Sequence, residues 1–288
     1  MRASLLFLFG VTLSAQWVNA PKVGVELPAG VTHKTYRSAA MKCDVGYLVY
    51  LPPDYDSSGG RRYPVIYNLH GAGGNEWHGM EEARLLEKGI RSGKWPAMIM
   101  VFPNGGKTTF YKDSFDGKSM AETTVIRELI PHIDTTYRTI AERKGRAIEG
   151  FSMGGRGSTR LAMKYPEMFI SLFNQAGNVM HSSTDPLTEY MGPNRARYID
   201  NDSYLLLKKN LARIKDQLRI QVWCGTKDDG HLGTVRQYHQ ALLESGVDHT
   251  YMEIEGLAHV RTEMVKRYEG IWFDYHVESF RRASALPR

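Results

Sequence analysis

The stretch RAIEGFSMGG, Arg146–Gly155, predicts a short strand, a tight turn centred on Ser152 and the start of a helix. This is the pattern of a nucleophile elbow, in which glycines flank a serine because a Cβ beside so sharp a turn would collide with neighbouring backbone. The turn holds the Ser152 hydroxyl away from the backbone, and it leaves the Met153 N–H free at the first turn of a helix to bind a developing oxyanion. A lone G-x-S-x-G match is a weak signal, so the assignment depends on partners elsewhere in the chain.

The composition fits one folded α/β domain. The chain has 288 residues, of which 42% are hydrophobic, which is enough for a sizeable core and excludes a disordered protein. Its formal net charge is +6, but Lys and Arg are interspersed with Asp and Glu, and basic pairs such as Arg61–Arg62 are typical of a solvated surface. We therefore expect a single catalytic domain over residues 21–288 and no nucleic-acid partner.

The amino terminus has the pattern of a secretory signal peptide. A basic start is followed by the apolar run Leu5–Leu13 and by a small-residue exit, Val18–Ala20. We therefore predict a signal peptide over residues 1–20 and a secreted or periplasmic protein with no stable membrane span in its mature form. Pro21 disfavours cleavage directly after Ala20, so the cleavage site stays open, as does retention of the segment as a membrane anchor. The alternative to a signal peptide is a buried amino-terminal helix.

Beyond the leader, strand and helix patterns alternate. Residues 33–51 predict an antiparallel hairpin, whereas nearly continuous apolar runs such as Tyr63–Leu69 predict strands covered on both faces. This order predicts an α/β protein with a doubly wound, mostly parallel sheet and a ligand site at the carboxyl ends of its strands. The irregular segment 177–203 is expected to overhang those ends as a small lid. Further strands are predicted at Trp95–Phe102, Phe169–Ala176, Ile220–Cys224 and Thr250–Glu255. Helices are predicted at Met120–Tyr137, with a bend or shift near its end at Pro131, at Ser203–Leu218, at Val235–Ser245 and finally through Trp272.

Catalysis by Ser152 would need two partners. A serine hydroxyl becomes nucleophilic when a neutral imidazole takes its proton and a carboxylate orients that imidazole, and downstream of a nucleophile elbow the acid precedes the base. Two predicted strands end shortly before Asp228 and His259, which are therefore the expected acid and base. Asp229 stays open as an alternative acid, because spacing alone separates the two aspartates. The other histidines downstream of the acid are expected to be surface residues, namely His231, His239 and His249.

A second oxyanion donor is expected from the glycine loop that follows the strand Tyr63–Leu69. The loop His70–Gly74 (HGAGG) lies there, and the Ala72 N–H is the predicted donor beside that of Met153. The alternative is a plain glycine-rich turn or a phosphate cradle, but the loop lacks both the G-x-x-x-x-G-K-[ST] and the G-x-G-x-x-G patterns.

Neither a metal nor an organic cofactor is expected. The two cysteines, Cys43 and Cys224, lie in predicted strands and are expected to be buried free thiols. No H-E-x-x-H motif or cysteine pair accompanies the histidines that a metal could use, which are His70, His78, His181 and His259.

Several motifs, taken in order, give the chain a resemblance to a known family. They are Tyr50–Tyr55 (YLPPDY), Leu69–Gly74 (LHGAGG), Glu128–Pro131 (ELIP), Gly150–Gly155 (GFSMGG) and Cys224–Asp228 (CGTKD). Together they resemble the esterase D group of α/β hydrolases, which includes carbohydrate esterase family one with its feruloyl and acetylxylan esterases, S-formylglutathione hydrolases and mycolyltransferases. The resemblance covers about residues 40–280. It implies an α/β-hydrolase fold and matching site residues, with Ser152, Asp228 and His259 as triad and Met153 and Ala72 as oxyanion donors.

The base loop departs from many feruloyl esterases. Those enzymes often carry extra glycines before the histidine and a tryptophan after it, whereas Leu257–Ala258 precede His259 here and Val260 follows it. The triad is unaffected, but the resemblance gives no support to an aromatic acyl pocket at this loop. The candidate substrate-binding residues are Trp77, Phe110, Tyr111 and Asn178. For the three aromatic residues among them, ordinary packing is as good an explanation as a role in substrate binding.

These observations predict a secreted, metal-independent serine esterase that cleaves carboxylic esters through an acyl-enzyme. The leader and the resemblance favour a plant-polysaccharide ester, such as a feruloyl or acetyl ester of xylan, over another small-molecule ester. Within the enzyme class, an acyltransferase of the mycolyltransferase kind and a thioesterase like S-formylglutathione hydrolase are the alternatives. Outside it, the alternative is a carbohydrate-binding protein on an inactive hydrolase scaffold.

Overall fold

The computed structural model describes residues 17–21, 24–181, 192–215 and 217–287, and an eight-stranded sheet lies at its centre. The strands are β1 (Val31–Ser38), β2 (Cys43–Tyr50), β3 (Val65–Leu69), β4 (Ile99–Pro103), β5 (Arg146–Phe151), β6 (Ser171–Gln175), β7 (Arg219–Gly225) and β8 (His249–Ile254). Their order across the sheet is β1-β2-β4-β3-β5-β6-β7-β8. The predicted hairpin is β1 and β2; β2 also pairs antiparallel with β4, and the other pairs are parallel. The prediction of a doubly wound, mostly parallel sheet is confirmed.

Helices cover both faces of this sheet, so the central strands are buried on both sides. In β3, Val65 and Tyr67 face one apolar core and Ile66 faces the other, as the alternation of side chains along a strand requires. The helices are α1 (Met80–Arg91), α2 (Ala121–Thr123), α3 (Ile130–Thr136), α4 (Met153–Lys164), α5 (Arg195–Ile199), α6 (Ser203–Lys209), α7 (Leu211–Lys215), α8 (Leu232–Glu244), α9 (Arg261–Tyr268) and α10 (Phe273–Arg282).

The helix predicted at Met120–Tyr137 forms with a change of pitch. A π-helical turn, Thr124–Leu129, joins α2 to α3, and in it the Ile130 N–H donates to the Val125 carbonyl five residues back. Pro131 follows at the start of α3. The prediction is a bend or shift near the proline. The structure has its irregular hydrogen bonding in the turn just before Pro131, which has no N–H to donate.

Two other predicted helices are interrupted. The final helix was expected to run through Trp272, but α9 ends where Glu269 takes a left-handed conformation with φ 43°, and α10 begins after it. The helix predicted at Ser203–Leu218 is likewise divided into α6 and α7. Within the predicted lid, α5 lies in a segment expected to be irregular, and Asn194 caps it by accepting from the Ala196 N–H. Residues 182–191 of the lid are outside the described residues.

The structure also bears on the predictions about the amino terminus, a membrane span and the two cysteines. Residues 1–16 of the predicted leader lie outside the described residues, whereas Trp17–Pro21 lie within them. Across the described parts of the chain, no helix has the length and apolar character needed to cross a membrane. Cys224 is a buried free thiol as predicted, but Cys43 is only partly buried because it opens β2 beside the outermost strand.

Candidate active site

Ser152 occupies the turn between β5 and α4 with φ 57° and ψ −118°, a conformation that strains a residue with a side chain. The glycines on either side have a steric reason. A Cβ on Gly150 would lie 2.5 Å from the carbonyl carbon of Gly154, and a Cβ on Gly154 would lie 1.9 Å from the Leu69 carbonyl oxygen. The elbow therefore packs backbone against backbone, and it presents Ser152 at the carboxyl end of β5.

Two loops from the same edge of the sheet bring His259 and Asp228 to Ser152. His259 Nε2 lies 2.8 Å from Ser152 Oγ, and His259 Nδ1 lies 2.5 Å from Asp228 Oδ2. The Nδ1–H therefore donates to the carboxylate, which leaves the Nε2 lone pair directed at the serine hydroxyl. This is the geometry in which an imidazole can take a proton from serine.

A turn after β7 separates Asp228 from its neighbour. The Asp228 N–H donates to the Gly225 carbonyl at 3.1 Å, and the Asp228 carbonyl accepts from the Leu232 N–H at 2.9 Å, so the residue is held at the start of α8. Asp228 is 2% exposed, whereas Asp229 is exposed to solvent. The structure therefore brings Asp228, and not Asp229, to His259.

His231 is the residue that sequence reasoning missed. It was expected at the surface, but its Nδ1–H donates to Asp228 Oδ1 at 2.8 Å, and its ring stacks on that of His259 with centroids 3.9 Å apart and planes within 4°. One carboxylate thus receives a hydrogen bond from each of two parallel imidazoles. The D-x-x-H spacing at a helix start was the available signal, because residues three apart meet on one side of a helical turn.

Asp228, His231 and His259 also bring possible metal-ligand atoms within 4.8 Å of one another. An imidazole binds a metal in its ring plane, and the two ring planes here are parallel, so one ion cannot lie in both of them. Both Nδ1 atoms are moreover within hydrogen-bond distance of the carboxylate. The arrangement suits hydrogen bonding better than metal ligation.

The surroundings of His259 favour its neutral form. Burial lowers the pKa of His259, and the hydrogen bond that its Nδ1–H donates to Asp228 opposes that change. The stacked His231 lowers the pKa further, because a second positive charge beside it would be repelled. A neutral imidazole at ordinary pH is the state in which Nε2 can accept a proton.

The two predicted oxyanion donors, Ala72 and Met153, line the same cavity as Ser152. Met153 is the first residue of α4, where the helix leaves its initial N–H groups without intrahelical partners. Ala72 is exposed in the loop after β3, and its N–H has no acceptor among the described residues. That loop is internally bonded, since the Gly74 N–H donates to the Gly71 carbonyl at 3.0 Å.

His70 has a structural place beneath this loop. Its Nδ1–H donates to the Gly71 carbonyl at 2.8 Å, and its Nε2 accepts from the Gly105 N–H at 3.0 Å. Burial lowers the pKa of His70 to about 4, so the ring stays neutral and keeps both bonds. The ring joins the loop after β3 to the loop after β4.

Ser152 and His259 line a cavity of about 650 Å³, which also contains Phe110 and Asn178 from the predicted substrate-binding set. The other two predicted residues lie elsewhere. Tyr111 is fully buried with its hydroxyl on the His70 carbonyl at 3.2 Å, so it supports the loop from below. Trp77 lines a neighbouring pocket of about 330 Å³ that shares His78 and Arg261 with the cavity.

With this geometry established, comparison with known proteins assigns the chain to a family. The sequence profile of the putative esterase family matches residues 38–261, which is more than half of the chain. The chain belongs to this esterase family. This assignment agrees with the resemblance to an esterase group that the sequence motifs indicate.

Curated relatives of this esterase-family chain include an esterase of Mycobacterium tuberculosis, 39% identical over 149 residues, which are 49% of this chain and 31% of that protein. The endo-1,4-β-xylanase/feruloyl esterase of Xylanibacter ruminicola is 38% identical over 130 residues, 42% of this chain and 18% of that protein. The chain therefore spans about a third or less of the length of these relatives.

Solved structures share the fold. A ferulic acid esterase superimposes with a TM-score of 0.72 at 24% identity and covers 87% of this chain and 98% of its own. An S-formylglutathione hydrolase from Agrobacterium tumefaciens gives a TM-score of 0.72 at 22% identity, over 87% of this chain and 95% of its own. At these identities the likeness establishes the α/β-hydrolase fold alone.

Proposed function

We propose that this chain is a serine carboxylic ester hydrolase with Ser152 as nucleophile, His259 as base and Asp228 as acid. One observation carries the proposal, namely the continuous relay of hydrogen bonds from the Ser152 hydroxyl to the buried Asp228 carboxylate beside a cavity of about 650 Å³. A serine whose proton can pass to a neutral, oriented imidazole is equipped for the acyl-enzyme chemistry of ester hydrolysis.

In the first half-reaction, Ser152 Oγ attacks the ester carbonyl carbon while His259 Nε2 takes the hydroxyl proton. Negative charge passes to the carbonyl oxygen, where the N–H groups of Met153 and Ala72 donate to it, each contributing about 3 kcal/mol in the transition state. Collapse of the tetrahedral intermediate breaks the bond to the alcohol oxygen, which leaves with the proton from His259. Water then attacks the acyl-enzyme with His259 as base, and the carboxylic acid and free serine are released.

Asp228 and His231 act on the base and not on the substrate. The Asp228 carboxylate fixes the tautomer of His259 and stabilises the imidazolium that forms during attack. His231 binds the second oxygen of that carboxylate and covers one face of the His259 ring. It therefore limits ring rotation and is a positioning residue.

We further propose that the enzyme is exported and acts on a plant-polysaccharide ester, with feruloyl and acetyl esters of xylan as first candidates. The Xylanibacter ruminicola relative is named a xylanase/feruloyl esterase, which supports this class. The cavity adds support because Phe110 can contact an acyl group or a sugar ring while Asn178 can pair with hydroxyl groups. The mechanism requires no metal or cofactor.

Replacement of the nucleophile tests the proposal. Ser152→Ala removes the attacking oxygen, so hydrolysis of p-nitrophenyl acetate should fall by about 10⁴–10⁶-fold and labelling by a fluorophosphonate probe should disappear. Ser57→Ala is the matched control, because Ser57 is exposed and far from Ser152 in sequence; this variant should keep both the hydrolysis and the labelling. Full activity in Ser152→Ala would rule the mechanism out.

The substrate class is tested separately with methyl ferulate, acetylated xylan, S-formylglutathione and short p-nitrophenyl esters. A preference for the xylan-type esters of at least tenfold in kcat/KM is expected. Preference for S-formylglutathione would reassign the substrate, and formation of a transfer product when a sugar acceptor is added would reassign the reaction to acyl transfer.

A further inference from the structure

The segment Trp17–Asn19, which falls inside the predicted signal peptide, packs into the folded protein. The Trp17 side chain is 5% exposed and belongs to one of the two apolar cores. Its carbonyl accepts a hydrogen bond of 2.7 Å from the Gly46 N–H in β2. Burial of a tryptophan removes a large apolar surface from water, so this contact stabilises the fold. We refer to Trp17–Asn19 as the amino-terminal strap.

Asn19 binds the strap to Glu76, a carboxylate that is fully buried. The Asn19 backbone N–H donates to Oε1 at 2.8 Å, and its side-chain Nδ2 donates to Oε2 at 2.9 Å. The indole N–H of Trp77 donates in turn to the Asn19 carbonyl at 2.8 Å. Buried polar groups need such partners, so the loop after β3 is built to receive this segment.

The strap also packs against the loop after β4, which in turn is hydrogen-bonded to the predicted oxyanion loop. A Cβ on Gly106 would lie 3.2 Å from the Trp17 ring, so the ring packs on the loop after β4. The next residue of that loop, Lys107, accepts a hydrogen bond of 2.7 Å from the Gly73 N–H, beside Ala72. The loop after β4 thus lies between the strap and the loop that carries Ala72.

We propose that the strap is part of the mature protein, so that any leader is removed on the amino-terminal side of Trp17 and not after Ala20. Processing hydrolyses one peptide bond, with water supplying the atoms of the new carboxylate and amine. Hydrolysis after Ala20 would empty the site of Trp17 in the core and remove two donors from Glu76. Hydrolysis upstream of the strap leaves all of these contacts in place, and it leaves the oxyanion loop supported.

The amino terminus of the exported chain tests the position of processing. The full chain is expressed in a secreting bacterial host, and the product is read by intact mass and amino-terminal sequencing. A chain that begins at Trp17 or earlier, including an uncut chain, is the expected result. A stable product that begins at Val18 or later, above all at Pro21, overturns the proposal.

Substitutions in the full chain test the strap itself. Trp17→Ala and Asn19→Ala should each lower Tm by roughly 5–10 °C, and kcat for p-nitrophenyl acetate should fall about threefold to tenfold with KM nearly unchanged. Leu27→Ala, at an exposed residue that follows the strap in sequence but lies outside it, is the control and should change neither. An unchanged Tm in both strap variants overturns the structural role. Because Tm needs no substrate, this result stands apart from any failure of the esterase assay.

Discussion

Asp228 and Glu76 are both buried carboxylates surrounded by donors, yet their partners differ in kind. Asp228 accepts from two histidines, 3 and 31 residues along the chain, and one of these faces the Ser152 hydroxyl. Glu76 contacts three segments that lie 28, 43 and 57 residues away, through Asn104, His33 and Asn19. The first carboxylate orients a titratable ring, and the second joins distant parts of the fold. Burial of a charge therefore does not by itself indicate chemistry; the partner group decides.

Substitution of each carboxylate by its amide separates these roles, and the larger effect on activity is expected at Asp228. Asp228→Asn keeps the volume but presents an NH₂ group toward the Nδ1–H of His259, which disfavours the productive tautomer and the imidazolium. We expect kcat/KM to fall by about 10³–10⁴-fold with Tm changed by only a few degrees. Initial rates and thermal unfolding measure the two quantities.

Asp229→Asn is the control for that substitution, because the residue is exposed and next in sequence. Its kcat/KM should stay within about twofold of that of the parent chain, and its Tm should hardly change, because surface substitutions usually have small effects. If instead Asp229→Asn loses the activity and Asp228→Asn keeps it, the acid is Asp229 and the proposed relay is incorrect.

Glu76→Gln should reverse the pattern, with a large effect on stability and a small one on activity. The amide replaces one acceptor oxygen by a donor, so hydrogen bonds from Asn19 and Asn104 lose their acceptor. Each buried group left unpaired costs about 1–3 kcal/mol, so a loss of roughly 2–4 kcal/mol in the free energy of unfolding is expected. Activity of the folded fraction should fall by less than about tenfold.

Denaturant unfolding and rates on the folded protein check this expectation. Glu142→Gln is the control, because Glu142 lies at the surface with 69% of its side chain exposed beside Lys144, and surface pairs contribute about 0–1 kcal/mol. Equal stability of the two variants would show that the contacts of Glu76 do not hold the segments together.

The sequence predicts the catalytic side of this comparison because its signals are local. The glycines around Ser152 reflect backbone contacts within one turn, and the ends of parallel strands collect at one edge of the sheet, which places Asp228 and His259 near the serine. The choice between Asp228 and Asp229 depends on the turn after β7, which directs one side chain inward and the other to solvent. Spacing carries no information about that direction.

The contacts of Glu76 and of the amino-terminal strap could not be predicted in the same way. Glu76 lies in a polar, glycine-rich stretch that is typical of a surface loop, and its partners come from distant segments. The composition around Trp17 matches an export signal, and nothing in the neighbouring sequence indicates that its side chain enters the core. By contrast, the break before α10 had a local sign, since Gly270 follows Glu269 and glycine commonly ends a helix.

The smallest expected effect concerns His231, which shares Asp228 with the base. His259 accepts a proton only when neutral, so kcat/KM is lost as pH falls through its pKa. His231→Gln keeps a donor for Asp228 but removes the ring whose charge opposes protonation of His259, so the pKa of His259 rises and the acid limb of the pH–rate profile moves to higher pH. At the pH optimum the rate should fall by less than about tenfold. His239→Gln is the control, because that ring stacks on Tyr251 outside the cavity. An acid limb that stays in place, with an equal loss of rate at every pH, would show that His231 only packs against the base.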